Sequence, residues 1–459
     1  MNYATNGETV LVTNGTYHLT NQITVTQSIT LCSVNGYSNT MVVGNGANRC
    51  FYISCQSGRP TIDGFTITNG YANSNDFSGK GGGIFISTGN VYNCLITGNT
   101  VERGTNADWY TTGGGGVYLD SMCTVLTCIV RGNYSGYAGG GMVLGRYDGR
   151  NFISNCVIES NICDYIGGGI FGDGTLLNST IVNNISKSEA GGIYGPRIWI
   201  TNCVIAGNSA TNGPGGGAEL FYYSTIADSV ISNNSAGGTS GGRGGGVYFY
   251  PTAPSPQIIN SVIVNNSARL YGGGVYFNQC GILKQCLIKN NSISATGGSG
   301  CDGAGIYLRN VKNYSGYCES CTIVSNMTPH RGGGIAVEGT NNNYSVSNCV
   351  VWGNIGTVAG NDVFDESGTN NSPSFRFTCA NYTNFPAGEG NITNDPQFVN
   401  FSGGNFHLKA ASPCMNAGSN QDWMTNAVDF DGRQRIRYGI VDLGCYETIY
   451  EGTIYRFGF

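Results

Sequence analysis

The sequence predicts an all-β fold, a right-handed parallel β-helix solenoid, on three observations. The triplet Gly-Gly-Gly recurs at 81–83, 114–116, 139–141, 167–169, 215–217, 244–246, 272–274 and 332–334, followed by an aliphatic residue and usually an aromatic. Degenerate copies at Gly191-Gly192 and Gly303-Ala304-Gly305 bring the total to ten. After every copy comes a Cys or Ser with an Asn five positions later, as in Cys94 and Asn99. Around each triplet the apolar residues alternate with period two, which marks a strand with one buried face. Ten copies of a two-part unit specify a solenoid. The glycines and the period exclude a helical one. Right-handedness is the default for parallel crossovers.

Residues 1–79 read as opening coils. Residues 80–358 are the repetitive body, 359–390 an irregular connection, and 391–459 a small C-terminal capping module. The last glycines of successive copies are 23 (169 to 192) to 33 (83 to 116) residues apart. That spacing fits a coil of about 22 to 24 residues with variable loops. In each coil the triplet strand is followed by a short strand such as Leu95-Ile96-Thr97. Equivalent residues should then stack about 4.8 Å apart.

Three ladders follow from counting. The first runs from Cys94, Cys128, Cys156 and Ser179 through Cys203, Ser229, Ser261 and Cys286 to Cys321 and Cys349, small side chains expected in a narrow core. The second is Asn99 through Asn354, expected at left-handed turns with amides bonded from coil to coil. The third stands two residues after each triplet: Phe85, Tyr118, Val143, Phe171, Tyr194, Glu219, Tyr248, Tyr276, Tyr307 and Ala336. Alternation points this row outward. It is either a stack that braces adjacent strands or a platform for sugar rings, with Tyr118, Phe171, Tyr194, Tyr248, Tyr276 and Tyr307 as the glycan-binding candidates.

Charged residues are only 11% of the chain and the net charge is -5. With no basic stripe, nucleic acid is not an expected partner. No apolar run is long enough for a membrane helix. Of the 18 cysteines, seven belong to the first ladder and the other eleven could include disulfides. The chain is read as lacking CxxC pairs and Cys/His clusters of zinc spacing, so no metal or cofactor is expected.

Several segments resemble known families. Residues 8–67, with Asn14-Gly15-Thr16-Tyr17 and Ile62-Asp63-Gly64-Phe65, resemble the opening of pectate-lyase-like β-helices, which implies that the usual capping helix before Glu8 is truncated and the end left open. The triplet repeats over about 80–355 are similar to those of polymorphic outer-membrane proteins and other bacterial surface repeats. Asp395-Pro396, Ser412-Pro413-Cys414, Asp429-Phe430-Asp431-Gly432-Arg433 and Asp442-Leu443-Gly444-Cys445 resemble the tail module called choice-of-anchor Q. The resemblance implies export and display outside the cell, and it suggests a bond between Cys414 and Cys445. Asp429, Asp431, Arg433 and Arg435 are expected as a structural ion-pair cap. The chain opens MNYATNGETVLV without a leader-like stretch, as the middle of a longer reading frame would. It closes on the alternating Ile454-Tyr455-Arg456-Phe457-Gly458-Phe459, read as a terminal or pairing strand.

The expected function is an exported, bacterial cell-surface protein, adhesin-like or structural, presenting the aromatic row to a polysaccharide or surface glycan. The alternative is a polysaccharide lyase or glycoside hydrolase on the outer face. In that case Glu219, flanked by Tyr194 and Tyr248, is a candidate acid, with Asp173 as its nearest conceivable partner. Tyr271 or His330 would be the base beside Arg243 and Arg331, with Asp302 and Arg269 nearby, in a groove for an acidic polymer. The insertion Glu102–Tyr110 would wall that groove. A third reading is a fibre subunit that self-associates head to tail through exposed edges.

Overall fold

The computed structural model describes residues 4–73, 79–104, 112–145, 150–239, 241–295, 301–309, 315–339, 344–366, 374–385 and 389–448. Each coil of the body carries four short strands. In one they are Ile84–Ile86, Gly89–Tyr92, Leu95–Thr97 and Thr100–Glu102. Each pairs in parallel, in register, with its equivalent one coil on, as Ile84 with Val117 and Ile96 with Val130. The strands stack into a triplet sheet of 13, a second and a third sheet of 14 each, and a narrow fourth sheet of 11. The chain is therefore an all-β parallel β-solenoid. Among the described residues there is no α-helix, and the one antiparallel pair of strands is Phe398–Asn400 with Asn405–Leu408, beside an isolated antiparallel bridge of Val428 and Gln434.

The core is a column of aliphatic residues, one inward set per coil, such as Ile84, Ile86, Val91 and Ile96. The triplet glycines sit where a coil turns from the fourth sheet into the triplet sheet. Gly81 has φ +66, and a Cβ on Gly82 would stand 2.6 Å from the Gly115 carbonyl oxygen. Only glycine meets both demands.

The two polar ladders do more than fill space. Asn133 Oδ1 accepts from both the backbone N–H and the side-chain amide of Asn99, each at 3.0 Å, and Asn99 Nδ2 also donates to Ile67 O at 3.0 Å. The pattern repeats to Asn354, whose two donors end on Asp362 Oδ1 at 2.9 Å. Burial pushes the Asp362 carboxyl up despite these bonds. The left-handed residues stand one position before each ladder residue, as Gly98 before Asn99 and Asn93 before Cys94, rather than at the ladder Asn as expected. The Cys/Ser ladder also bonds coil to coil. Cys94 N–H donates to Cys128 Sγ at 3.4 Å and Cys156 N–H to Ser179 Oγ at 3.1 Å. A thiol and a hydroxyl each accept this bond, which explains why they interchange.

Two expectations for the C-terminal part change. Residues 359–390 are not merely irregular. Val363–Asp365, Ser374–Arg376 and Cys379–Ala380 add a further coil. Tyr382 and Phe385 then close the core over Phe375, with ring centroids 5.9 and 5.6 Å away. The residues that follow do not sit on that end. They lie along the outer face of the third sheet, where Phe398, Phe406, Leu408, Cys414, Leu443 and Cys445 cover Leu287, Val324, Val350 and Cys379. Gly444 N–H donates to Asn348 O at 2.8 Å and Trp423 Nε1 to Glu319 Oε2 at 2.9 Å.

All 18 cysteines are free thiols, Cys414 and Cys445 included. Arg433 pairs with Asp431 at 2.7 Å, and fully buried Arg435 lies 3.3 Å from Glu447, so these ion pairs hold the side-on C-terminal residues together and do not cap the coil stack. Residues 105–110 of the insertion and the strand 454–459 lie outside the described residues.

Candidate functional site

The outer face of the triplet sheet holds every site residue singled out in the sequence. The third ladder is in register from Phe85 to Tyr118, through Tyr194, Glu219 and Tyr248, to Tyr307 and Ala336. It faces away from the core, as alternation requires. It is not exposed. Tyr118 is 0% accessible, Phe171, Tyr248, Tyr276 and Tyr307 are buried, and Tyr194 is half-buried.

The physical reason is a second layer that the strand pattern does not contain. The chain just before each triplet folds back over the row. Tyr137, Ala138 and Ile166 pack with Phe85, Tyr118 and Phe171. Lys80 lies over the Tyr118 ring at 4.8 Å and Arg243 over Tyr276 at 6.0 Å. Under this roof the rings stack on one another. Tyr248 and Tyr276 are 5.1 Å apart at 7°, and Tyr276 and Tyr307 are 5.2 Å apart at 11°. The fully buried rings offer a sugar no open face, while Tyr194 is half-buried and Tyr307 lines a cavity.

Glu219 interrupts the stack between Tyr194 and Tyr248 and is 1% exposed. Its Oε2 has no hydrogen-bond partner. Burial, and then the charge of Glu189 one coil before, push its carboxyl well above the usual range. Asp173 is not its partner; that carboxylate sits 3.5 Å from Arg197. The second carboxylate that Glu219 feels is Glu189 rather than Asp173.

Three of the proposed catalytic residues do converge, Tyr271 two coils further on and His330 and Arg331 four coils further on. Tyr271 and Arg331 line a cavity of about 160 Å³ together with Asp302, Tyr307, Glu338, Phe364 and Glu366, and His330 stands at its edge on Asp302. Asp302 organises the group. It receives Arg331 Nη2 at 2.8 Å and Nε at 3.3 Å, and His330 Nδ1 stands 2.6 Å from it. Burial works against the Arg331 charge, but Asp302 outweighs it and raises the guanidinium. The guanidinium lies over Phe364 at 4.3 Å. Tyr307 Oη donates to Glu338 Oε2 at 2.8 Å. Burial and then Glu338 push both tyrosines up, Tyr307 strongly.

A phenol raised in this way is a poor base at neutral pH. Three carboxylates face one guanidinium in the lining, so the cavity is not suited to an acidic polymer. Arg243 and Glu219 stay outside it. Glu338, Phe364 and Glu366 were not singled out in the sequence. Glu338 is two residues past Ala336, so the same alternation could have found it.

A second, larger cavity of about 320 Å³ lies among the opening coils, lined by Asn21, Gln22, Asn48, Arg49, Tyr71 and Asn73. Arg49 is buried there, and burial lowers its guanidinium to about 10. Its Nε donates to the carbonyls of Lys80 and Gly81 at 2.9 and 2.8 Å. Nothing in the repeat pattern marks this place.

The sequence reading also passed over a CxxC pair, Cys318-Glu319-Ser320-Cys321. The two thiols and Cys349 lie within 4.8 Å of one another.

No protein-family model matches this chain, and no curated protein matches it. Among solved structures it is similar to pectate lyase Pel9A, at 14% identity and a TM-score of 0.29, over 97% of this chain and 89% of that one. It is also similar to a PL6 alginate lyase in complex with a trisaccharide, at 14% identity and a TM-score of 0.30, over 85% and 79%. The Dettilon tailspike protein follows at 13% identity and 0.24, over 83% and 58%. Such distant likeness says nothing about activity. The fold rests on the strand ladders themselves.

Proposed function

We propose that this chain is an exported bacterial surface protein whose β-helix serves as a stiff, non-catalytic stalk, adhesin-like or structural. The observation that carries the reading is the closed outer face of the triplet sheet. Its aromatic rings are spent on one another, and four ionisable groups of its cavity are tied into pairs, Arg331 with Asp302 and Tyr307 with Glu338. The resemblance to surface repeats and to an anchoring tail module supports export. If a saccharide is bound, the cavity beside Tyr271 is the better place for it than the buried row, and its carboxylate-rich wall favours a neutral or amino sugar over a uronate.

The test is to incubate the full chain with immobilised neutral, amino and acidic glycans, and to read binding and released oligosaccharide in the same wells. The expected result is no release from any glycan. Any binding should weaken in Tyr271→Ala and be unchanged in Tyr118→Phe. Release of products, lost in Glu219→Ala or Tyr271→Phe, would instead establish the enzyme reading.

A further inference from the structure

One inward position of the core is hydrocarbon in every coil of the body but one. On the second sheet the inward position from Val91 to Leu283 is Val, Leu or Ile in eight successive coils, and it returns to Val at Val346. Between them, in register with Leu283 and Val346, stands Cys318. It is placed where the Cys/Ser ladder runs past on the third sheet. Cys318, Cys321 and Cys349 are all buried, and their sulfurs lie within 4.8 Å of one another. Cys318 Sγ and Cys349 Sγ are 3.8 Å apart. Elsewhere a ladder cysteine faces a hydrocarbon at this position, as Cys94 does beside Val91 and Cys203 beside Ile200.

We propose that Cys318, Cys321 and Cys349 form a three-sulfur site for a soft, thiophilic cation, copper(I). The spacing is that of ligands around one ion. Metal–thiolate bonds of about 2.3 Å place three sulfurs about 4 Å apart. A disulfide needs about 2.05 Å and would require the coils to draw together. Cys286 N–H donates to Cys321 Sγ and Cys321 N–H to Cys349 Sγ, each at 3.4 Å, and such bonds favour the charged sulfur.

Donor set and surroundings choose the ion. Thiolates without oxygen or imidazole select soft cations. Zinc takes four ligands, and the next ladder thiol, Cys286, does not belong to the mutually close set. A low-coordinate soft ion fits three sulfurs without a fourth ligand. Each thiol that becomes a ligand releases its proton, and because all three groups are buried, the ion enters as the coils close. Its binding energy then adds to folding.

The experiment uses the full chain, expressed in copper-supplemented and in zinc-supplemented medium, purified without oxygen and dialysed against a chelator. Bound metal is counted by elemental mass spectrometry, and its ligands are read by X-ray absorption. One sulfur-coordinated copper per chain is expected. Cys318→Val, which installs the side chain of neighbouring coils, should lose the copper and keep the circular dichroism of the wild type. Cys128→Ser, in a ladder that already accepts serine, should keep both.

Copper absent from the wild type, even after refolding with copper(I), would overturn the site. So would equal copper in Cys318→Val, or a Cys318–Cys349 disulfide in an unreduced peptide map. Zinc retained in place of copper would overturn the choice of ion.

Discussion

The triplet sheet carries the same outward row over its early and its late coils, yet the two stretches end up as different surfaces. Over Phe85, Tyr118 and Phe171 the roof is mainly apolar, made of Tyr137, Ala138 and Ile166, with the charged Lys80 over the Tyr118 ring. Over Tyr276, Tyr307 and Ala336 the equivalent positions carry Tyr271, Asp302 and Arg331, and a cavity opens between roof and row. The strands and ring stacking barely differ. What differs is the residue just before each triplet. An apolar roof seals against the rings and excludes water. A charged roof pairs with itself and leaves a polar concavity. In this solenoid the turn into the strand, not the strand, decides whether a face is closed or open.

The largest effect that comparison predicts is in the sealed stretch. Tyr118→Ala removes a ring that is fully buried between the Phe85 ring and the roof. Emptying such a site costs about 3 to 5 kcal/mol. Urea unfolding should show that loss without a change in spectroscopic fold. A loss below about 1 kcal/mol would mean the roof does not pack as described.

Between the two stretches lies Glu219, and it should make stability depend on pH. Its folded carboxyl is held above its unfolded value, so the folded state binds a proton more tightly. Its contribution to stability is therefore present below the ordinary carboxylate range and falls as pH rises toward the folded value, by about 1.4 kcal/mol per pH unit of the interval. Glu219→Gln should flatten this slope, read from urea midpoints at about pH 5 and about pH 8. An identical slope in both proteins would show that Glu219 has found a partner or solvent.

These differences also mark how far the sequence could be read. The coil, its register and the bonded asparagine ladder were legible because Gly82, Asn99 and Cys94 repeat at fixed offsets, and each is required by backbone geometry or by an N–H that needs an acceptor. The roof was not legible. Ile166, Glu189, Arg243 and Asp302 share one position but not one character, and burial there depends on how the chain folds back.

The side-on C-terminal residues were hidden for a related reason. The outer row of the third sheet is aliphatic both where it is covered, at Val350, and where it is open, at Val204 and Val230, which are 39% and 37% exposed. Composition alone could not say which part has a neighbour. Glu338 and the Cys318–Cys321 pair were within reach of the same counting that found the ladders.

The smallest effect belongs to the open stretch. Arg331→Met keeps much of the contact with Phe364 and removes the charge that neutralises Asp302. Asp302 has a 5% exposed side chain, but Arg331 is 25% exposed and His330 remains 2.6 Å from the same carboxylate. Breaking a fully buried pair would cost about 3 to 5 kcal/mol; partial exposure and the second partner should hold this loss to about 1 to 2 kcal/mol. Because the pair lies at a cavity rather than under a seal, the loss should also shrink in high salt, which the Tyr118→Ala loss should not do. If Arg331→Met were instead as costly as Tyr118→Ala and indifferent to salt, the two stretches would be equally sealed, and the cavity beside Tyr271 would be packing rather than a place where a ligand enters.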